Sequence, residues 1–164
     1  MKLVRLYAVI ILFTVIFSSC NKESTETDKQ KPGIDLYIKD GFPLNCDTIF
    51  FGEKFVFKAL LTDNIELGSF SIDIHHNFDH HSHSTEITTC SFDPIKTPVN
   101  PFIFIKDYKI PDGLKYYETN LEIEIPSANN TNMFDEGDYH FFISLTDKSG
   151  WSAQKGLSIK ILKR

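Results

Sequence analysis

The sequence predicts an all-β fold, an antiparallel β-sandwich of about seven to nine strands. Apolar and polar residues alternate in four segments, at residues 54–61, 70–74, 121–125 and 157–161. This is the two-residue period of a half-buried strand, and β-branched and aromatic residues are frequent in it. Turn-forming residues, such as the Pro-Asp-Gly at 111–113, separate these segments. No window of about twelve residues has the period of an amphipathic helix.

The N-terminus predicts export. Lys2 and Arg5 precede a largely apolar run at residues 6–17, which is too short to span about 30 Å of hydrocarbon comfortably as a helix. The sequence Phe-Ser-Ser-Cys then resembles the bacterial lipobox, in which cleavage precedes the cysteine and lipid is attached to its sulfur. The resemblance implies lipidation at Cys20 and an envelope protein anchored in the outer membrane, facing the periplasm or the surface. A plain secretory signal with a coincidental cysteine is the alternative.

Three parts are predicted along the chain. Residues 1–19 are the signal peptide, residues 20–33 the lipidated cysteine with a flexible tether, and residues 34–164 the folded domain. The tether is expected because residues 21–33 contain no apolar side chain larger than proline and so have no core to form. A length of 164 residues fits one domain and argues against a multi-domain enzyme.

The charge balance disfavours nucleic acid as a partner. Lys2 and Arg5 are the only charged residues of the first nineteen, so removal of that segment lowers the formal net charge from −5 to −7. Nucleic-acid binding depends on neutralisation of phosphates by Lys and Arg. The partners expected instead are the membrane, through the lipid, and a small ligand or an envelope component.

Two cysteines remain besides Cys20. Cys46 and Cys90 form an even pair in a compartment where disulfides are stable. A bridge between them is one interpretation, and two separately buried thiols are the other.

One motif makes the fold more specific. Residues 135–141 reproduce the D-x-G-x-Y spacing of the tyrosine corner of immunoglobulin folds, which predicts an immunoglobulin-like sandwich. If Tyr139 faces the core, then His140 points outward, because side chains alternate along a strand. The same alternation places His75 on the outer face of residues 70–75. Since the two strands are neighbours in this fold, His75 and His140 are expected on one face.

Two sequences, HHNFDHHSH at residues 75–83 and GDYHF at residues 137–141, carry a resemblance to a family of uncharacterised bacterial lipoproteins with an immunoglobulin-like domain. The resemblance covers most of the chain after the signal peptide. It implies the fold and the location in the envelope, and it implies no activity.

Five of the six histidines fall within the nine residues 75–83. Imidazole suits Zn, Cu, Ni and Fe, and a site needs three or four ligands that converge on one ion. A turn at residues 77–80 would fold the segment back on itself. Zinc is the ion we expect first, with Cu(II), Ni(II) and Fe(II) behind it. The predicted ligands are His75, His81, His83 and His140, with Asp79 or Glu86 as oxygen donors.

Other functions remain open alternatives. A solvated loop would explain the histidines without any ion, and so would a proton-sensing or partner-contact role. A binding module for a glycan or an envelope protein would use aromatic side chains such as Tyr116, Tyr117 and Trp151. A passive structural domain is the third possibility. We expect no enzyme, because the chain lacks the G-x-S-x-G, H-E-x-x-H and Gly-rich phosphate-loop motifs.

Overall fold

The computed structural model describes residues 27–130 and 132–164, and every regular element in these ranges is a strand. The predicted signal peptide, Cys20 and the first part of the predicted tether lie outside the described residues. The strands are β1 (Gly33–Asp35), β2 (Thr48–Phe50), β3 (Glu53–Phe57), β4 (Leu60–Thr62), β5 (Leu67–His76), β6 (Phe104–Lys109), β7 (Tyr116–Glu118), β8 (Leu121–Ile125), β9 (Ala128–Asn129), β10 (Asn132–Met133), β11 (Gly137–Asp147) and β12 (Ser152–Leu162).

Two layers of strands enclose the core. One layer is a five-stranded sheet in the order β2-β12-β11-β5-β6, and the other contains the sheets β1-β4-β7 and β3-β8. Aromatic rings join the layers, since the Phe57 ring of β3 lies 5.6 Å from that of Phe141 on β11 and 6.2 Å from that of Phe70 on β5. The prediction of an all-β sandwich is confirmed.

The strand pairing is more varied than the sequence predicts. The described residues form twelve strands rather than seven to nine, because several pairings are only two or three residues long and such short strands leave no alternation to detect. Within the described ranges, all strand pairings are antiparallel except that of β2 with β12, which is parallel. The five-stranded sheet therefore contains both parallel and antiparallel pairings.

The register of the long central strands follows the apolar alternation. On β11, Tyr139, Phe141, Ile143 and Leu145 are fully buried. On β5, the inward residues Phe70, Ile72 and Ile74 are at most 4% exposed. A shift by one residue would expose all of these side chains, so their burial fixes the register.

Tyr139 forms the predicted corner. Its hydroxyl donates to the carbonyl oxygen of Asp135 at 2.5 Å and accepts from the backbone N–H of Phe102 at 3.2 Å. Burial raises the pKa of Tyr139 to about 12. The hydroxyl therefore stays protonated and holds the start of β11 to a neighbouring loop.

Cys46 and Cys90 form a disulfide with a Cα–Cα distance of 5.3 Å. Cys46 lies just before β2. Cys90 is the last residue of the covering segment, residues 77–90, which follows β5. The backbone N–H of Cys46 donates to the Ser158 carbonyl oxygen of β12 at 2.8 Å. The bridge thus holds the far end of the segment over the five-stranded sheet.

The ordered domain begins before Ile34. Strand β1 starts at Gly33, and Asp28, in the predicted tether, is only 7% exposed. Its Oδ1 accepts from Asn64 Nδ2 at 3.1 Å. Among the described residues, no helix is long and apolar enough to cross a membrane.

Replacing Tyr139 by phenylalanine is expected to lower the free energy of unfolding by about 1–3 kcal/mol, because a buried N–H and a carbonyl lose their shared partner. Urea denaturation measures the change. Tyr116→Phe is the matched control, since this tyrosine is 69% exposed and its change should stay within about 0.5 kcal/mol. Equal effects of the two substitutions would contradict the role given to the hydroxyl.

Replacing both Cys46 and Cys90 by serine is expected to lower the free energy of unfolding by roughly 4 kcal/mol, since the bridge joins residues 44 apart and restricts the unfolded chain. Either single substitution should cost about as much as both together. A denaturation midpoint that neither reductant nor substitution moves would show that the bridge contributes nothing.

Candidate metal centre

The pairing of β5 with β11 places two histidines side by side. His140 is the direct antiparallel partner of His75, so both side chains leave the same outer face of the sheet. Their ring centroids are 5.4 Å apart. The predicted adjacency of His75 and His140 is therefore present. Although His140 points outward from the sheet, it is only 1% exposed, so another part of the chain covers it.

The covering segment, residues 77–90, lies over His140. A turn at residues 77–80, in which the His80 N–H donates to the Asn77 carbonyl oxygen at 3.2 Å, folds the segment back as predicted. The segment then runs across β12, where the Thr85 N–H donates to the Gly156 carbonyl oxygen at 2.9 Å. A Cβ atom at Gly156 would lie 2.1 Å from the His83 carbonyl oxygen. Only glycine lets the segment lie this close to the strand.

Four imidazole rings lie close together where this segment meets the sheet. The six distances between the ring centroids lie between 4.8 and 5.8 Å. Around one tetrahedral zinc ion, with Zn–N distances of 2.0–2.1 Å, imidazole centroids would be about 5.2 Å apart. The rings are those of His75, His81, His83 and His140. Their spacing fits four ligands of one ion.

Nitrogen positions agree with this arrangement. Ligand atoms of His75, His81 and His83 all lie within 4.8 Å of one another. His75 Nε2 and His83 Nδ1 are 3.3 Å apart, which is about the separation of two ligand atoms on a tetrahedral zinc ion. His140 is not one of these three, but its Nδ1 is buried and has no hydrogen-bond partner among the described residues. A cation would satisfy that nitrogen.

The outer nitrogens of three rings have oxygen partners. Nδ1 of His75 lies 2.9 Å from Asp73 Oδ1, and Nδ1 of His81 lies 2.5 Å from Asp79 Oδ1. Nε2 of His140 donates to the His81 carbonyl oxygen at 3.0 Å. Such bonds fix the tautomer and leave the other nitrogen with its lone pair, as in carboxylate–histidine–metal sites.

The two predicted oxygen ligands take other roles. Asp79 accepts from the His81 ring, so it orients that imidazole. Glu86 is not part of the group: its carboxylate pairs with Lys155 Nζ at 2.5 Å and accepts the Tyr37 hydroxyl at 3.1 Å. The lysine draws this carboxylate toward β12, and its hydrogen bond lowers the pKa of Glu86.

Two histidines of the run face elsewhere. The His76 ring packs 5.0 Å from the Phe78 ring. His80 stacks at 4.7 Å on Phe92, and its Nε2 lies 3.7 Å from Asp138 Oδ2. The count of five in nine residues therefore contains three ligand candidates, and the fourth comes from β11.

The electrostatic environment favours neutral imidazole at the buried position. Burial lowers the pKa of His140 below its ordinary value of 6.5, although the bond to the His81 carbonyl opposes this shift. The hydrogen bond from His81 lowers the pKa of Asp79. Neutral rings beside ionised carboxylates are the protonation states that bind a divalent cation.

The aromatic residues of the alternative binding module have different surroundings. Tyr116 is 69% exposed. Tyr117 packs against Phe70 with a centroid distance of 6.5 Å. The Trp151 indole N–H donates to the Asp28 carbonyl oxygen at 3.2 Å. Tyr116 is thus largely exposed to solvent, whereas the side chains of Tyr117 and Trp151 contact other residues of the domain.

Sequence reasoning missed Asp73 and Gly156. Strand alternation places Asp73 on the same outer face as His75 but gives it no further role. A repeated signal exists, since D-x-H occurs at residues 73–75 and again at residues 79–81, and residues i and i+2 of an extended chain point to the same side. Gly156 carries no comparable signal, because its role depends on a segment about seventy residues away.

The comparison with solved structures includes a distant likeness. The crystal structure of Spo0M, sporulation control protein, from Bacillus subtilis, is 11% identical with a TM-score of 0.37; the match covers 82% of this chain and 49% of that chain. The chain thus spans about half the length of that protein. No curated protein matches the sequence.

A family match covers most of the chain. Residues 18–162 match the family described as Domain of unknown function (DUF4625). This range includes all twelve strands and the four clustered histidines. The chain belongs to the DUF4625 family.

Proposed function

We propose that this protein is a lipid-anchored, non-enzymatic envelope protein whose immunoglobulin-like domain binds one Zn²⁺ ion through His75, His81, His83 and His140. The observation that carries the proposal is the convergence of four imidazoles from β5, β11 and the covering segment at the spacing of a tetrahedral site. A solvated loop would not need a buried imidazole or oriented ring nitrogens.

The donor set favours zinc. Four neutral imidazoles suit a borderline ion in a tetrahedral arrangement. Cu(II), Ni(II) and Fe(II) also accept imidazole but prefer other geometries or open positions. The carboxylates of Asp73 and Asp79, which bond to two of the rings, would offset the charge of the ion.

Complete protein coordination supports a binding role over catalysis. A catalytic zinc site keeps one position for water or substrate, whereas four protein ligands close the site. The bound ion would fasten the covering segment to the sheet, or would be held for storage, sensing or delivery. His83 is the most exposed of the four ligands, and a shallow surface pocket lined by Asp73, His75, His83 and Phe142 provides an entry path.

Export and anchoring rest on the N-terminal sequence. The lipobox-like residues preceding Cys20 support the lipid anchor. The disulfide between Cys46 and Cys90 suits an oxidising compartment outside the cytoplasm. The hydroxyl contact of Tyr139 and the neighbouring strands β5, β11 and β12 support the immunoglobulin-like description.

Replacing both His81 and His83 by alanine is expected to abolish stoichiometric zinc binding, because only two of four ligands remain. The tag-free full-length protein is stripped with a chelator, reloaded with zinc and dialysed, and its metal content is measured. Wild type should retain one ion per chain. Cobalt(II) in place of zinc should give the visible absorption of a tetrahedral site.

His80→Asn is the matched control. His80 lies in the same segment but outside the cluster, and its φ of 60° is tolerated by asparagine better than by alanine. This variant should retain the ion. Equal metal content in wild type and in the His81 and His83 double variant would sink the proposal.

Zinc affinity is expected to fall steeply between pH 7.5 and pH 5. Only neutral imidazole binds the ion, so protons compete with zinc for the ring nitrogens as the pH falls, and the competition grows with the number of histidine ligands. The low pKa of His140 reduces only its own share of this competition. Calorimetric titration at several pH values measures the slope, and an affinity that stays constant over this range would exclude histidine ligation.

A further inference from the structure

At the opposite end of β11 lies a second cluster of titratable side chains. Asp28 precedes β1, Asp63 follows β4, and Asp147 ends β11, yet ligand oxygens of all three lie within 4.8 Å of one another. The three residues are 7%, 7% and 4% exposed. Burying three carboxylates together is unfavourable unless a positive charge accompanies them.

One oxygen of each carboxylate is held by donors of the protein. Asp28 Oδ1 accepts from the Gln30 N–H at 3.0 Å, Asp63 Oδ1 from the Glu66 N–H at 2.7 Å, and Asp147 Oδ1 from the Trp151 N–H at 2.9 Å. These bonds fix the direction of each side chain. At Asp28, the hydrogen bond from the Gln30 N–H lowers the pKa of the carboxyl.

The second oxygen of each carboxylate is left without a partner. Oδ2 of Asp28, Asp63 and Asp147 is buried and accepts no hydrogen bond from any described residue. No described lysine or arginine pairs with the three carboxylates either; Lys148, next in sequence to Asp147, pairs with Asp112 and Glu66. Each of the three clustered carboxylates therefore carries one buried oxygen without a partner among the described residues.

We infer that Asp28, Asp63 and Asp147 form a binding site for a calcium ion. Ca²⁺ takes oxygen ligands at 2.3–2.6 Å, so two of its ligands lie at most about 5 Å apart, and the ligand oxygens of the three aspartates are close enough to share one such ion. Carboxylates suit a hard cation and disfavour the borderline ions of the histidine site. Mg²⁺ fits less well, because it requires closer octahedral ligands and keeps several waters.

The ion would join three separate segments of the chain. It would fasten the residues before β1 to the turn after β4 and to the β11–β12 hairpin. The Trp151 indole N–H already bonds to the Asp28 carbonyl oxygen at 3.2 Å. This site is independent of the proposed zinc site, because His140 and Asp147 are seven positions apart on β11, which corresponds to about 24 Å of extended strand.

Terbium(III), a hard cation that replaces calcium, tests the site directly. Trp151 is the single tryptophan of the chain and contacts two of the three ligand residues, so selective excitation of tryptophan should sensitise terbium emission from the full-length protein. Added Ca²⁺ should quench this emission by competition. In a separate melting experiment, calcium at about 100 times its Kd should raise the melting temperature by roughly 5–10 °C over the value in EGTA.

Asp63→Asn and Asp147→Asn keep an oxygen for the backbone bond but lose the free carboxylate oxygen, and each should abolish both signals. Asp35→Asn is the matched control: Asp35 accepts from the N–H two residues on, at 2.8 Å, as Asp28 does, but it is exposed and should keep both signals. The His81 and His83 double variant should also keep them, which separates this site from the zinc proposal. Absence of sensitised emission in wild type, or equal emission in Asp63→Asn, would overturn the inference.

Discussion

The antiparallel pairing of β5 with β11 is the constraint on which both candidate sites depend. Burial of the apolar side chains on the inner faces of these strands fixes the register, because a shift by one residue would carry every one of them to the outside. The same register puts His140 opposite His75 on the outer face. It also sets Asp147 at the far end of β11, beside the residues that open the domain. Packing of the hydrophobic core therefore sets the positions of His75, His140 and Asp147, although these side chains are not part of that core.

Each candidate site contains buried polar atoms that have no hydrogen-bond partner among the described residues. At one end, Nδ1 of His140 is buried under residues 77–90; at the other, three carboxylate oxygens are buried against the residues before β1. A buried polar group without a partner costs about 1–3 kcal/mol, and more when it is charged. Bound cations would remove this cost. The donor atoms differ, nitrogen at one site and oxygen at the other, so the two proposed sites would suit different classes of ion.

A bound ion at either site would act as a cross-link between distant parts of the chain. The histidine site joins the covering segment to the five-stranded sheet, which the disulfide between Cys46 and Cys90 does at the far end of the same segment. The carboxylate site joins the N-terminal residues to two turns. Ions that bind only the folded chain stabilise it by mass action. A domain with many two- and three-residue strands gains most from such links, because short pairings contribute little by themselves.

The sequence by itself determined the sandwich, the inward residues of β5 and β11, the corner at Tyr139 and the adjacency of His75 and His140. Each of these follows from local alternation or from a short motif, and alternation leaves only one register that buries the apolar face. Only the tertiary structure decided which histidines converge, that Lys155 holds Glu86 apart from them, and that Asp28 is buried beside Asp63 and Asp147. These outcomes depend on contacts between residues far apart in the chain, such as the approach of His83 to Gly156, and no local pattern encodes such contacts.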